Sequence, residues 1–318
     1  IALLNRTGAV FGFDLMYGLP GDSMQGFCES IDFALALYPN HMDIFPLAIL
    51  PGTALAARSH AMDMQHLPGP PYTLLSTPTF SAAELMEARR LTLACDVFYT
   101  RGKAVAWFNS VVTVLGMKPS VFLLQFGLWL TKEKGEAVSE DSLHDDEIRS
   151  LQRTFLEKAF LPEKLKRFLP LVLDLVDYHH CYVAALSALP AEPLDDQELA
   201  RMRLLELSAF LAPAAQLATF HYEILDILEA GEPNIRAFTD HAKKNGSWAV
   251  IYPRADGVAT ESLIEPYFRI LEQLDGRTPC GSITASLGVE DDEALSFLEF
   301  CAAEGIAVFS SLALGDWK

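Results

Sequence analysis

The sequence predicts an α/β segment, then a long mostly helical stretch, then a small α+β module. Three observations predict it. Residues 8–53 alternate strand, helix and strand; from Ser81 to about Asp240 apolar residues recur at helical spacing; after Gly231 short strands return between short helices. The expected boundaries are 1–80, 81–240 and 241–318, and 318 residues suffice for two or three domains of roughly 100–200 residues each.

The first segment opens with "AVFGFDLMY", a strongly apolar strand containing Asp14. "MQGFCESIDFALALY" then places Phe27, Ile31, Ala34, Leu35 and Tyr38 on one helical face, and "HMDIFPLAIL" is a second strand. Strand, helix and strand make a βαβ unit, which crosses over right-handed into a parallel sheet. One such unit cannot close a core, so partner strands are expected before residue 1. The first residue, Ile1 rather than Met, points the same way.

Both strands end in rigid corners. After Tyr17 comes Gly18-Leu19-Pro20-Gly21, then Asp22 and Ser23 as helix caps; after the second strand comes Pro51-Gly52-Thr53. Glycines permit positive φ and close backbone approach, and proline stiffens the bend. Backbone N–H groups at the start of the helix after Ser23 are expected to suit a carboxylate or phosphate. In parallel α/β folds ligands sit at the carboxyl ends of the strands, where both corners lie.

Further on, "HLPGPPYTLLSTPTFS" reads as an extended clamp ending at the N-cap Ser81, with Glu84 completing a capping box. Helices are expected at 82–101, 104–115, 119–132, 146–160, 162–186 and 195–228, with a charged linker near 133–145 and "SEDSLHDDE" as a solvated loop and helix start. "GSWAVIYP" and "DGVATESL" are a strand and its return, 264–274 a helix, "DGRTPCGSITASLG" a turn and short helix, 291–304 a helix, and "GIAVFSS" a last strand. Strands flanking three short helices give a winged-helix-like module.

The net charge of -18 argues against broad contact with nucleic acid, and no apolar run reaches the ~18 residues of a membrane span. The five cysteines are scattered and odd in number, which suits a reducing cytoplasm. His179 and His180 with Asp174 and Asp177 are candidate metal ligands, but adjacent positions point to different helix faces. His221 with Glu223 is a weaker metal candidate still; His60 and His66 flank the Pro-rich segment and read more simply as a surface loop than as facing a ligand site. Trp107, Phe108, Phe122, Phe126 and Trp129 read as core, with an apolar substrate pocket as the other reading.

Taken together, "DLMYGLPGDS" and "NHMDIFPLAILPGTAL" resemble the later part of the barrel in radical S-adenosylmethionine (SAM) enzymes, in the subgroup that usually carries an N-terminal cobalamin-binding domain. The family phrase is Asp-x-Ile-Tyr-Gly-Leu-Pro-Gly-x-Thr, followed one strand later by Pro-Gly-Thr. Asp14, Tyr17, Gly18, Leu19, Pro20, Gly21, Pro51, Gly52 and Thr53 match; Met16 replaces Ile and Ser23 replaces Thr. The resemblance is specific over 8–80 and implies a partial (β/α) barrel remnant in which Asp14, Tyr17, Gly18, Pro20, Gly21, Asp22, Pro51, Gly52 and Thr53 lie on the SAM side. It implies SAM, a 4Fe-4S cluster and cobalamin in the full-length parent, acting by radical or methyl-transfer chemistry on an unreactive C–H.

The family's Cys-x3-Cys-x2-Cys loop is missing, and Cys28 lies inside a helix as a small buried residue. The chain alone is therefore expected to bind none of these cofactors and to be inactive, the cluster and cobalamin domains lying upstream; a degenerate relative of the family is the other reading. The last ~70 residues resemble the winged-helix peptide-recognition domain that partners radical SAM enzymes, which implies a peptide added along a strand edge; a structural cap is the other reading. DNA reading is disfavoured, since "CGSITASLGVEDDE" lacks Arg and Lys. From a different class stands a non-catalytic peptide- or protein-binding module. A small-molecule or peptide substrate is expected, with no nucleic-acid or membrane partner.

Overall fold

The computed structural model describes residues 1–309 except 8, 136–137 and 140–141. Parts of the charged linker and of "SEDSLHDDE", and Ser310 and Ser311 of the expected last strand, lie outside the described residues. The chain divides into two compact units, Ile1–Val176 with Glu232–Asp240, and Asp177–Gly231 with His241–Lys318. It is a mixed α/β protein with small sheets.

The first unit begins with α1 (Ala2–Thr7), β1 (Gly12–Tyr17), α2 (Met24–Leu35) and β2 (His41–Pro46). β1 and β2 are parallel, with Asp14 opposite Asp43 and Met16 opposite Phe45. Phe27, Ile31, Ala34 and Leu35 of α2 are buried, and Ser23 caps the helix by accepting from the Gly26 N–H. Next come α3 (Ala54–Ser59) and a short antiparallel pair, β3 (Gln65–His66) and β4 (Leu74–Ser76). The clamp then ends, as expected, at Ser81, whose capping box with Glu84 starts α4 (Ala82–Cys95).

α4 runs on into a π-helical turn, Asp96–Thr100. A wider turn strands backbone carbonyls. Gln152, fully buried, supplies the donors: its side-chain amide gives hydrogen bonds to the carbonyls of Phe98 (2.8 Å) and Gly102 (2.9 Å). Phe98 is also the hub of the aromatic core, with ring centroids 4.9 Å from both Phe122 and Phe126 in edge-on contacts. Phe108 of α5 (Phe108–Leu115) and Phe155 of α7 (Asp145–Ala159) join these rings of α6 (Pro119–Lys134), and α8 (Glu163–Lys166) and α9 (Leu169–Ser187) follow. The expected aromatic stripe is core, with Trp107, Phe108, Phe122 and Phe126 fully buried. Among the described residues no single helix is long and apolar enough to cross a membrane; α5 and α6 pass such a test only together, across a 92° bend.

The expected long helix at 195–228 is not formed. That stretch holds α10 (Asp196–Leu199), two strands, β5 (Ser208–Leu211) and β6 (Gln216–Phe220), and α11 (Ile224–Ala230). The Leu and Ala at helical spacing favour a helix locally, but Pro213 interrupts it and long-range pairing decides the outcome. β6 pairs antiparallel with β7 (Ser247–Arg254), which follows α12 (Ile235–His241), and β7 pairs with β8 (Gly257–Leu263) as read from the sequence. After α13 (Glu265–Gln273) the expected turn at "DGRTP" is a strand, β9 (Asp275–Pro279), because β5 is there to pair with it. α14 (Cys280–Ser286), α15 (Asp291–Ala303) and β10 (Ala307–Phe309) complete the unit, and β5 is the middle strand of the antiparallel sheet β10-β5-β9.

Candidate functional site

The corner after β1 is built inward. Gly18 sits at φ 87°, and a side chain there would meet the Leu74 Cδ2 at 2.6 Å, so any other residue would hold a strained φ and push Leu74 of β4 aside. Its N–H donates to Asp22 Oδ2 (3.0 Å), while Asp22 Oδ1 accepts from the Ser23 N–H (2.8 Å). The Asp22 N–H closes the turn on the Leu19 carbonyl at 2.9 Å. Asp22 is thus a brace. At the start of α2, the place of the expected anion site, the chain itself already occupies two N–H groups: Asp22 takes that of Ser23 and Ser23 Oγ that of Gly26.

Beside the corner lies a cleft of about 250 Å³, lined by Pro20, Gly21, Met62, Met64, Thr77, Pro78 and Thr79. Space above Gly21 is empty to 4 Å. Of the residues expected on the cofactor side, Pro20 and Gly21 line it. Gly18 lies beneath, and Tyr17 points away, 3 % exposed under α2, its ring 4.9 Å from Phe27. Burial pushes the Tyr17 pKa up, with Arg89 and Thr92 near the hydroxyl partly offsetting it.

Pro51, Gly52 and Thr53 are exposed and do not line that cleft. Thr53 spends its hydroxyl on local structure, donating to the Leu50 carbonyl (2.8 Å) and accepting from the Ala56 N–H (3.2 Å) to cap α3. Asp14 lies elsewhere again, on the face of the sheet that α2 leaves bare. That face carries Asp14, Asp43, Met16 (49 % exposed) and Phe45 (52 % exposed), with the His41 ring resting where a Gly12 side chain would be.

The other candidates separate by their surroundings. His179 is pushed down to about 4 by burial and then by His180, so it is neutral at pH 7. His66 Nδ1 contacts the Leu67 carbonyl at 2.9 Å, and His60 is exposed. Cys28 is half-buried; Cys95, Cys181, Cys280 and Cys301 are buried, and burial raises Cys28, Cys95, Cys280 and Cys301 above the ordinary thiol pKa. Among the described residues no group of three His, Cys, Asp or Glu side chains is placed to hold a metal ion.

Sequence reasoning missed the far wall of the cleft, Met62, Met64 and Thr77–Thr79, whose only signal was the Pro-rich clamp. It also missed a second cleft of about 280 Å³ lined by Tyr38, Asn109, Ser110, Glu232 and Arg236 among others. Its polar groups already satisfy one another: Ser110 donates to Glu232 (3.2 Å), Asn109 to the Leu35 carbonyl (2.9 Å) and Arg236 to the Val114 carbonyl (3.1 Å). Compared with known protein families the chain matches none, and no curated protein matches it closely enough to stand as a relative.

Proposed function

We propose that residues 1–80 are the closing part of a partial (β/α) barrel of the radical SAM kind, cobalamin-dependent in its full-length parent, with a helical extension and a winged-helix-like tail behind it. One observation carries the reading: β1 and β2 are parallel, each is followed by a rigid proline–glycine corner, and β1 leaves its outward N–H groups without a cap among the described residues.

The phase of the ladder supports this. Leu47 N–H donates to the Tyr17 carbonyl, so Phe13, Leu15 and Tyr17 bond towards β2, while Gly12, Asp14 and Met16 point their backbone groups away from it. On the far side of β2 the outward positions are Met42, Ile44 and Pro46: the Met42 N–H is taken by Thr100 Oγ1 (3.2 Å), Pro46 has no N–H, and that of Ile44 remains. No such cap reaches the outward N–H groups of Gly12, Asp14 and Met16 among the described residues. A further strand belongs beside β1, and the bare face with Asp14, Met16, Asp43 and Phe45 becomes the interior.

This chain's residues do not fit an iron–sulfur cluster, since its cysteines are dispersed and mostly buried. Cluster and cobalamin belong to other parts of the protein. SAM, when bound, supplies the group delivered to an unreactive C–H. The chain contributes shape: Pro20 and Gly21 offer exposed backbone beside an apolar cleft, and the helices after Ser81 cover the barrel. In the tail, the order helix, strand, two helices, strand from Glu265 to Phe309 supports the winged-helix reading, with β5 between β9 and β10 as a wing strand would be.

The test is anaerobic expression of the full reading frame, with iron content and SAM cleavage measured. A bound cluster and SAM turnover are expected. Full-length protein carrying no cluster overturns the proposal and leaves the non-catalytic peptide- or protein-binding module in its place.

A further inference from the structure

The cleft at the Gly-Leu-Pro-Gly corner has two walls that come from distant parts of the first unit. Pro20 and Gly21 form one; Met62, Met64 and Thr77–Thr79 form the other. One side-chain hydrogen bond ties them: Thr79 Oγ1 donates to the Asp22 carbonyl at 2.6 Å, across 57 residues of sequence. Its acceptor belongs to the residue whose carboxylate shapes the corner through Gly18 and Ser23. Thr79 is held in turn. Its N–H donates to Thr77 Oγ1 (3.3 Å), Thr77 and Phe80 exchange backbone hydrogen bonds of 2.9 and 3.4 Å, and Phe80 is fully buried with its ring 6.4 Å from that of Tyr17. The arrangement is a bracket: a ring anchored in the core, a tight turn, and a hydroxyl gripping the opposite wall.

We infer that Thr79 is the positioning residue of this cleft, its hydroxyl setting the gap between the Pro20–Gly21 corner and the methionine wall and thereby the fit of a ligand seated there. The identity of that ligand as SAM rests on the function proposed above; the bracket does not. Thr79 touches the cleft but transfers nothing.

Thr79→Val keeps the branched shape and loses the hydroxyl, whereas Thr79→Ser keeps the hydroxyl. A single hydrogen bond of this kind corresponds to about a three- to tenfold effect. In the full-length, anaerobically prepared enzyme, Thr79→Val is expected to raise KM for SAM by about that factor with kcat within about twofold, and Thr79→Ser to stay near wild type. In the 318-residue chain, amide exchange at Gly18, Asp22 and Ser23 is expected to quicken by a similar factor in Thr79→Val and not in Thr79→Ser. Unchanged exchange in Thr79→Val overturns the inference whatever the enzyme does. Faster exchange with an unchanged KM overturns it too, because Thr79 then only stabilises the fold. A wild-type enzyme that does not cleave SAM sinks the proposed function instead, and exchange alone then decides for or against the bracket.

Discussion

The two proline–glycine corners follow neighbouring parallel strands, yet one is braced and the other is bare. Around Gly18–Ser23 the chain turns inward: Leu74 packs over Gly18, Asp22 ties both ends of the turn, and Thr79 reaches in from the clamp. Around Pro51–Thr53 the same residue types face solvent, with space above Gly52 empty to 4 Å and Thr53 occupied with capping α3. Proline and glycine make the bend in both places. A shaped cleft appears only where residues from elsewhere in the chain press against it, so the second corner is free to meet a ligand or a neighbour without distorting the fold.

The contrast can be broken most sharply at the glycines. Gly18→Ala must hold a positive φ and also push Leu74 aside, a combined cost of about 2–4 kcal/mol, read as a lowered midpoint in urea. Asp22→Ala comes next. It strips two backbone N–H groups of their acceptor at the braced corner, for about 1–2 kcal/mol in the same assay. Gly52→Ala meets no atom and retains only the conformational penalty of φ 80°, about 1 kcal/mol. If Gly52→Ala were as damaging as Gly18→Ala, the second corner would be braced by something unseen in this arrangement, and the distinction would fail.

What the sequence made legible follows the range of the forces involved. The βαβ unit, the Ser23 cap, the capping box of Ser81 and Glu84, and the β7–β8 pair are local patterns, and each is present where the residues put it. β5, β6 and β9 were not legible, because a short Leu- and Ala-rich stretch becomes a strand only when a distant partner is supplied. Half of the site divides in the same way. Pro20 and Gly21 were readable from their turn chemistry, whereas Met62, Met64 and Thr79 join them only through folding of the clamp. Tyr17 looked like part of the site for the same reason that it is not. Strand alternation puts it on the face opposite Asp14 and Met16, and α2 covers that face.

The smallest predicted effect concerns the two edges of the sheet, where the same contrast between finished and unfinished recurs. On β2 the Thr100 hydroxyl accepts the outward Met42 N–H and Pro46 offers none, which leaves that of Ile44. Among the described residues no such acceptor reaches the outward N–H groups of β1, and natural edges that stay free are usually protected. Amide exchange in this chain should therefore be slow at Phe13 and Leu15, fast at Asp14 and Met16, and slow at Met42 on the opposite edge. Thr100→Val should raise Met42 exchange by about three- to tenfold while costing under about 1 kcal/mol overall, since one half-buried hydrogen bond is lost and nothing is left in a cavity. If the barrel proposed above is completed by a strand beside β1, the Asp14 and Met16 amides should be slow in that longer protein, because the added strand takes up their outward groups. Slow exchange at those two amides in the 318-residue chain itself, with sedimentation showing a monomer, would mean that β1 is already covered, and the place reserved for a further strand would not exist.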